Sequence, residues 1–245
     1  MSAHSFPVRL SELDSNGRLQ PYHIISYFQD AASIDLQKLQ MSGFELAKKD
    51  LGWVINAMTV VFEGEMPEWN EQVSVSTWAL NRTGVRLFRD FTAESKTMSA
   101  KGTSSWVIID EKSRRPVGLD LFGDRELILC EPALPGVKPG HFSPLSPGTE
   151  FETFSYTWNP RTSEQDLNAH INNINYLIAC FESIPQEFRA NKNLARVDIF
   201  FKAEIYAKQP IEIKTELTET EAFHRLVRTS DQTEVCVAKT QWRNR

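Results

Sequence analysis

Residues 14–19 read DSNGRL and residues 166–171 read DLNAHI. The two stretches align without a gap, Asp14 over Asp166, Asn16 over Asn168 and Arg18 over His170. Each stands just ahead of an apolar segment with helical spacing. PYHIISYFQDAASIDLQKLQ (21–40) carries Ile25, Phe28, Ala32, Leu36 and Leu39, and INYLIACFESI (174–184) carries Ile174, Leu177, Phe181 and Ile184. Downstream of each, Phe62-Glu63-Gly64-Glu65 matches Phe201-Lys202-Ala203-Glu204. Two short matches falling at the same places in two halves point to an internal duplication.

The segments after both helices alternate as strands do. VSVSTW (73–78), SSWVII (104–109), VDIFFK (197–202) and IEIKTEL (211–217) place β-branched or aromatic residues at every second position. A long apolar helix followed by antiparallel strands, repeated, is an α+β pattern in which a sheet can wrap a helix. Between the copies, residues 130–148 hold five of the twelve prolines and three of the eleven glycines. Proline lacks the N–H that helices and central strands need, so this stretch reads as a linker. The expected domains are 1–130, a linker over 131–150, and 151–245.

Composition excludes several function classes. The chain is 41% hydrophobic and 24% charged with a formal net charge of −5, a poor match to phosphate backbones, so no nucleic-acid partner is expected. No apolar run reaches the ~20 residues of a membrane span. The start, MSAHSFPVRLSELDSNG, lacks the layout of a signal or transit peptide, and a cytoplasmic protein is expected. Cys130, Cys180 and Cys236 are widely spaced and form no metal-type cluster, so neither a disulfide framework nor a metal is expected. Cys180, on the apolar helix face, reads as a core residue. Trp53, Trp69, Trp78 and Trp106 read singly as core packing, with an acyl tunnel as the functional alternative. The cations Arg82, Arg86, Arg89, Arg114 and Arg115 could receive an acidic partner, but ordinary sheet-edge charge explains them at least as well, and they receive no binding role.

Asp166, Asn168 and His170 stand at i, i+2, i+4. On a helix, Asn168 would face away from Asp166; in a strand or taut loop all three can share a side. Asn172 and Asn173 are suited to capping a helix that starts after them. Short polar residues before a helix are usually caps or Asx-turns, and that reading stays open beside the catalytic one. In the catalytic reading, the free N–H groups of the helix N-terminus share in holding an oxyanion. The first copy has Arg18 in place of His170, and arginine does no acid–base work near neutral pH. His170 therefore separates the copies.

DLNAHINNINYL (166–177) resembles the Asp-x-Asn-x-His-(Val/Ile)-Asn-Asn motif of the acyl-acyl carrier protein thioesterases. WNEQVSVSTWALNRTGVRLFRDF (69–91) and SSWVIIDEKSRRP (104–116) are similar to two further runs of that family, so the resemblance covers nearly the whole chain. It implies a tandem hotdog fold, each half a long central helix wrapped by an antiparallel sheet. It implies a non-catalytic first domain with the acyl-chain pocket and a second domain carrying the reaction. By position it assigns catalysis to Asp166, Asn168, His170 and, in FFKAEIY (200–206), Glu204. Where plant relatives have a cysteine after that glutamate, this chain has Ile205, which rules out a thiol nucleophile there and favours attack by water. Glu204 would be the general base, His170 and Asn168 would polarise the thioester carbonyl, and Asp166 would orient the network or, as the alternative, attack the carbonyl. The implied partner is acyl carrier protein, which brings the phosphopantetheine arm, so no cofactor of the protein's own is expected; a homodimer is within what the chain allows. Rival readings are a coenzyme A thioesterase, a hotdog dehydratase or hydratase, and a non-enzymatic acyl-binding module.

Overall fold

The computed structural model describes residues 2–118 and 130–245. Of the expected first domain, residues 119–129 and Met1 lie outside the described residues. The chain divides into two compact units, Met1–Pro139 and Gly140–Arg245. Residues 131–151 carry neither helix nor strand.

In the first unit the chain runs β1 (Ser2–Pro7), α1 (Tyr22–Lys38), α2 (Gly43–Ala47), β2 (Leu51–Gly64), β3 (Gln72–Thr83), β4 (Arg86–Glu94), β5 (Met98–Asp110) and the short β6 (Pro116–Val117). The strands lie side by side as β1-β3-β4-β5-β2, every neighbour antiparallel, with β6 added to β5. In the second unit the order along the chain is β7 (Glu152–Trp158), α3 (Asn173–Glu182), α4 (Gln186–Ala190), β8 (Lys192–Phe201), β9 (Ile211–Leu217), β10 (Glu221–Arg228) and β11 (Glu234–Asn244). Its sheet runs β7-β9-β10-β11-β8, also antiparallel between neighbours. Position by position the second sheet repeats the first, which is the structural form of the duplication seen in the sequence.

Helical periodicity located both long helices to within a few residues. In α1 the residues Ile24, Ile25, Tyr27, Phe28, Ala31, Ala32 and Leu36 are buried, one apolar stripe laid on the sheet. Phe28 stacks on Phe91 of β4 with ring centroids 4.7 Å apart. The glycine at 102 on β5 makes this approach possible, because a Cβ there would stand 2.8 Å from the Phe28 ring. In the second unit α3 packs on β9 and β11, with Leu177, Ala179, Cys180 and Phe181 buried.

Three expectations are corrected. Trp69 is not core: it is 64% exposed, in the connection before β3. Arg89 is not sheet-edge charge, being only 2% exposed, with Nη1 donating to Asp35 Oδ2 at 2.8 Å and to Thr77 Oγ1 at 3.0 Å. Alternation along β4 points Arg89 to the helix side with Leu87 and Phe91, where only an ion pair makes a guanidinium tolerable. Burial works against the Asp35 carboxylate, but hydrogen bonds from Ser2 and Arg89 hold its pKa below the ordinary value. Asn173 is the first residue of α3 rather than a cap, and Asn172 alone fills that role, its Oδ1 accepting from Ile174 N–H at 3.1 Å.

Candidate active site

The segment 166–170 is a taut turn, not a strand. Asp166 N–H donates to the His170 carbonyl at 2.7 Å and Ala169 N–H to the Asp166 carbonyl at 3.1 Å. The Asp166 carboxylate closes the turn from inside: Oδ1 accepts from Asn168 N–H at 2.8 Å and His170 N–H at 3.2 Å. This is the Asx geometry in which a short carboxylate replaces a backbone acceptor. A bridge between Gln165 and Ile171 shuts the base of the turn. Ala169 takes the left-handed conformation, φ 61°, where its counterpart in the first unit is Gly17, φ 78°.

The first unit builds the same turn from the same atoms. Asp14 Oδ1 accepts from Asn16 N–H at 2.8 Å and Arg18 N–H at 3.0 Å, and Asp14 N–H reaches the Arg18 carbonyl at 2.7 Å. Both turns are anchored alike behind: Gln20 N–H donates to the Glu12 carbonyl at 3.0 Å and Asn172 N–H to the Glu164 carbonyl at 2.9 Å. Since a copy lacking His170 has the same aspartate in the same hydrogen bonds, holding the turn is the role the two aspartates share.

Glu204 arrives from the loop after β8, not from a strand. Three contacts fix that loop. Ile171 N–H donates to the Ile205 carbonyl at 2.9 Å, Tyr176 Oη to the Ala203 carbonyl at 3.3 Å, and Arg228 Nη2 to the Glu204 carbonyl at 2.6 Å. Ile205 itself is fully buried, so its side chain locks the loop into the unit. The result places His170 Nε2 3.4 Å from Glu204 Oε2, with both side chains partly exposed at 17% and 30%. Tyr206 completes the group: its hydroxyl donates to Glu204 Oε2 at 3.1 Å, and its ring meets the His170 imidazole edge-on with centroids 5.1 Å apart.

The expected residues thus fall into two sets. His170 and Glu204 meet directly. Asp166 acts on the backbone of the turn that carries His170. Asn168 lies exposed at the tip of that turn, its side chain in no hydrogen bond among the described residues, and so able to turn toward a bound group. The expected oxyanion role of the α3 N-terminus is weakened, because Ile174 N–H is taken by Asn172 Oδ1 and Asn175 N–H by the Asn172 carbonyl. Tyr206, Tyr176 and Arg228 were not singled out from sequence. Tyr206 and Tyr176 stand inside the quoted runs 200–206 and 166–177, and Arg228 left no trace there.

Two of the three cysteines are poor nucleophiles. Cys180 and Cys236 are fully buried, and burial pushes the pKa of both thiols well above the ordinary value, so little thiolate forms. Among the described residues no group of three His, Cys, Asp or Glu side chains is placed to hold a metal ion. Among them, too, no helix is long and apolar enough to cross a membrane.

Comparison with known proteins finds relatives over nearly the whole chain. Residues 2–120 match the model of the acyl-ACP thioesterase N-terminal domain, and residues 149–244 match that of the C-terminal domain. A palmitoyl-acyl carrier protein thioesterase of Cuphea hookeriana, a chloroplastic protein, is 23% identical over 98% of this chain and 61% of its own length. The chloroplastic oleoyl-acyl carrier protein thioesterase 2 of Arabidopsis thaliana is 25% identical over 93% of this chain and 66% of its own. The chain thus spans about three-fifths of the length of the curated relatives it matches. Among solved structures, an acyl-ACP thioesterase from Bacteroides thetaiotaomicron superposes with a TM-score of 0.83 at 22% identity, covering 99% of this chain and 97% of that one. The 12:0-ACP thioesterase of Umbellularia californica gives 0.84 at 20% identity, covering 100% and 97%. Those likenesses carry the fold, a tandem of two hotdog domains, and the two domain matches carry the kinship: the chain belongs to the acyl-ACP thioesterase family.

Proposed function

We propose that this protein hydrolyses the thioester between a fatty acyl group and acyl carrier protein, releasing the free acid and ending chain elongation. The observation that carries the reading is the 3.4 Å approach of His170 to Glu204, built on a turn whose copy has arginine instead. Family membership supports the substrate class.

In this reading Glu204 takes a proton from a water molecule as the water oxygen attacks the thioester carbonyl carbon. His170 and Asn168 donate hydrogen bonds to the carbonyl oxygen as negative charge builds on it. When the tetrahedral intermediate collapses, the carbon–sulfur bond breaks and the sulfur of the phosphopantetheine arm leaves as a thiol with the proton that Glu204 took from the water. Asp166 orients His170 rather than attacking the carbonyl, since its Oδ1 is already committed to two backbone N–H groups. The first unit, with Arg18 at the matching place, is the non-catalytic copy. The reading needs no cofactor beyond the arm that the substrate brings, and a cytoplasmic setting is proposed with it.

The deciding experiment compares one acyl chain on two carriers, acyl carrier protein and coenzyme A, by thiol release. Faster turnover on the carrier protein is expected; a clear preference for coenzyme A overturns the carrier assignment. Hydration of an enoyl thioester without thiol release would put the protein among hotdog hydratases instead.

A further inference from the structure

We infer that Tyr206 is a positioning residue of this site, its hydroxyl holding Glu204 in the ionised form that acts as base and its ring holding His170 in register with it. The inference rests on the hydrolytic reading of the site.

Three observations carry it. First, Tyr206 touches both partners at once: its hydroxyl meets Glu204 Oε2, the oxygen that His170 Nε2 faces, and its ring lies edge-on to the imidazole at an interplanar angle of 81°. Second, Arg228 clamps the backbone of Glu204 through its carbonyl, while Tyr206 engages the carboxylate. The Tyr206 backbone is itself tied down, its N–H donating to Gln209 Oε1 at 3.0 Å. Third, the duplicated unit serves as an internal control. Glu65 stands at the place of Glu204 and pairs with Arg18 at 3.6 Å. Two residues after Glu65 the chain has Pro67, which has no hydroxyl to offer. Histidine and tyrosine therefore occur together, around the same glutamate, in the unit assigned the chemistry, and neither occurs at the matching place in the other.

The physical consequence has a definite sign. An O–H donor stabilises a carboxylate over the protonated acid, so losing the hydroxyl should make the neighbouring carboxylate easier to protonate. Tyr206 is 43% exposed, so it supplies little to the core and its removal leaves the fold intact. A purely packing role would leave the pH dependence of the reaction untouched.

The test compares the parent protein with Tyr206→Phe and Tyr206→Ala, measuring kcat and KM across pH with an acyl-carrier substrate. Tyr206→Phe keeps the ring and loses the hydroxyl. It is expected to lower kcat by roughly 3- to 10-fold, leave KM nearly unchanged and move the acid limb of the profile up by about half a unit to one unit. Tyr206→Ala loses the ring contact as well and falls further, with partial recovery in Tyr206→Phe. An acid limb and kcat in Tyr206→Phe equal to the parent's overturn the inference. If the parent hydrolyses no acyl thioester, the functional reading fails by itself. The Tyr206 inference is then decided by a carbon-13 titration of the Glu204 carboxyl in labelled protein: a higher pKa in Tyr206→Phe supports it, and an unchanged one sinks it.

Discussion

His170 Nε2 faces Glu204 Oε2 at 3.4 Å, and at the matching place in the other unit Arg18 Nη1 faces Glu65 Oε2 at 3.6 Å. One backbone arrangement thus carries an imidazole–carboxylate pair in one copy and a guanidinium–carboxylate pair in the other. Arg18 is further engaged by Glu68 at 3.4 Å and by the Met66 carbonyl at 2.9 Å, as suits a structural cation.

The pairing predicts what converting one copy into the other does. His170→Arg should fold with its thermal midpoint near the parent's, because the turn accepts arginine at that position in the first unit. Its thioesterase activity should fall at least ~100-fold, since no group near neutral pH replaces the imidazole. Glu204→Gln should lose activity on a similar scale. A His170→Arg protein that hydrolyses acyl thioesters at the parent's rate would remove His170 from the site.

Asp166 separates orientation from attack. In Asp166→Asn the amide oxygen still accepts from the backbone N–H groups of Asn168 and His170, so the turn survives. Activity should stay within about 10-fold of the parent, because no carboxylate nucleophile is required. Complete loss with an intact fold would favour the anhydride route. Asp166→Ala should cost about 1–2 kcal/mol of stability through the two unpaired N–H groups, and Asp14→Ala a similar amount. Chemical denaturation of both, read beside their activities, distinguishes the two turns: only the change at Asp166 should also depress catalysis.

His224 predicts acid sensitivity. It is wholly buried on β10, with Nδ1 2.8 Å from Thr215 Oγ1 and Nε2 3.3 Å from Thr240 Oγ1, and burial lowers its pKa to about 3. The unfolded chain binds a proton near pH 6.5 that the folded protein refuses until about pH 3. Its contribution is therefore full above pH 6.5 and is lost as pH falls through that window, about 2 kcal/mol by pH 5. Urea midpoints of the parent and of His224→Gln between pH 8 and pH 5 should show a steeper decline in the parent. Equal slopes would mean that His224 takes its proton without unfolding.

Asp35 predicts the stability cost of a stranded charge. Replacing it with alanine leaves the Arg89 guanidinium buried without its anion, and about 3–5 kcal/mol should be lost. Removing both charges with Asp35→Leu and Arg89→Met should recover much of that. A calorimetric double-mutant comparison checks the pair, and additive losses would contradict it.

By itself, the sequence determined the repeat, the two long helices, most strands and the identity of the polar group ahead of α3. These are carried by local signals: side-chain periodicity, proline density, and short motifs whose residues are neighbours along the chain. The alignment of Arg18 with His170 already marked which copy differs. What the sequence left open depended on how the backbone closes locally and on contacts between segments far apart. Whether Asp166, Asn168 and His170 act as one face was decided by a closed turn, which turns the Asp166 carboxylate inward to backbone N–H groups and leaves Asn168 at the tip. Arg89 looked like any surface cation until Asp35, 54 residues away, placed an anion against it inside the fold. Glu204 stands 34 residues from His170 and meets it only because Ile171 N–H, Tyr176 and Arg228 pin its loop from three directions. Residue types and their spacing can name the members of a site, but backbone hydrogen bonds and buried side chains decide which of them meet.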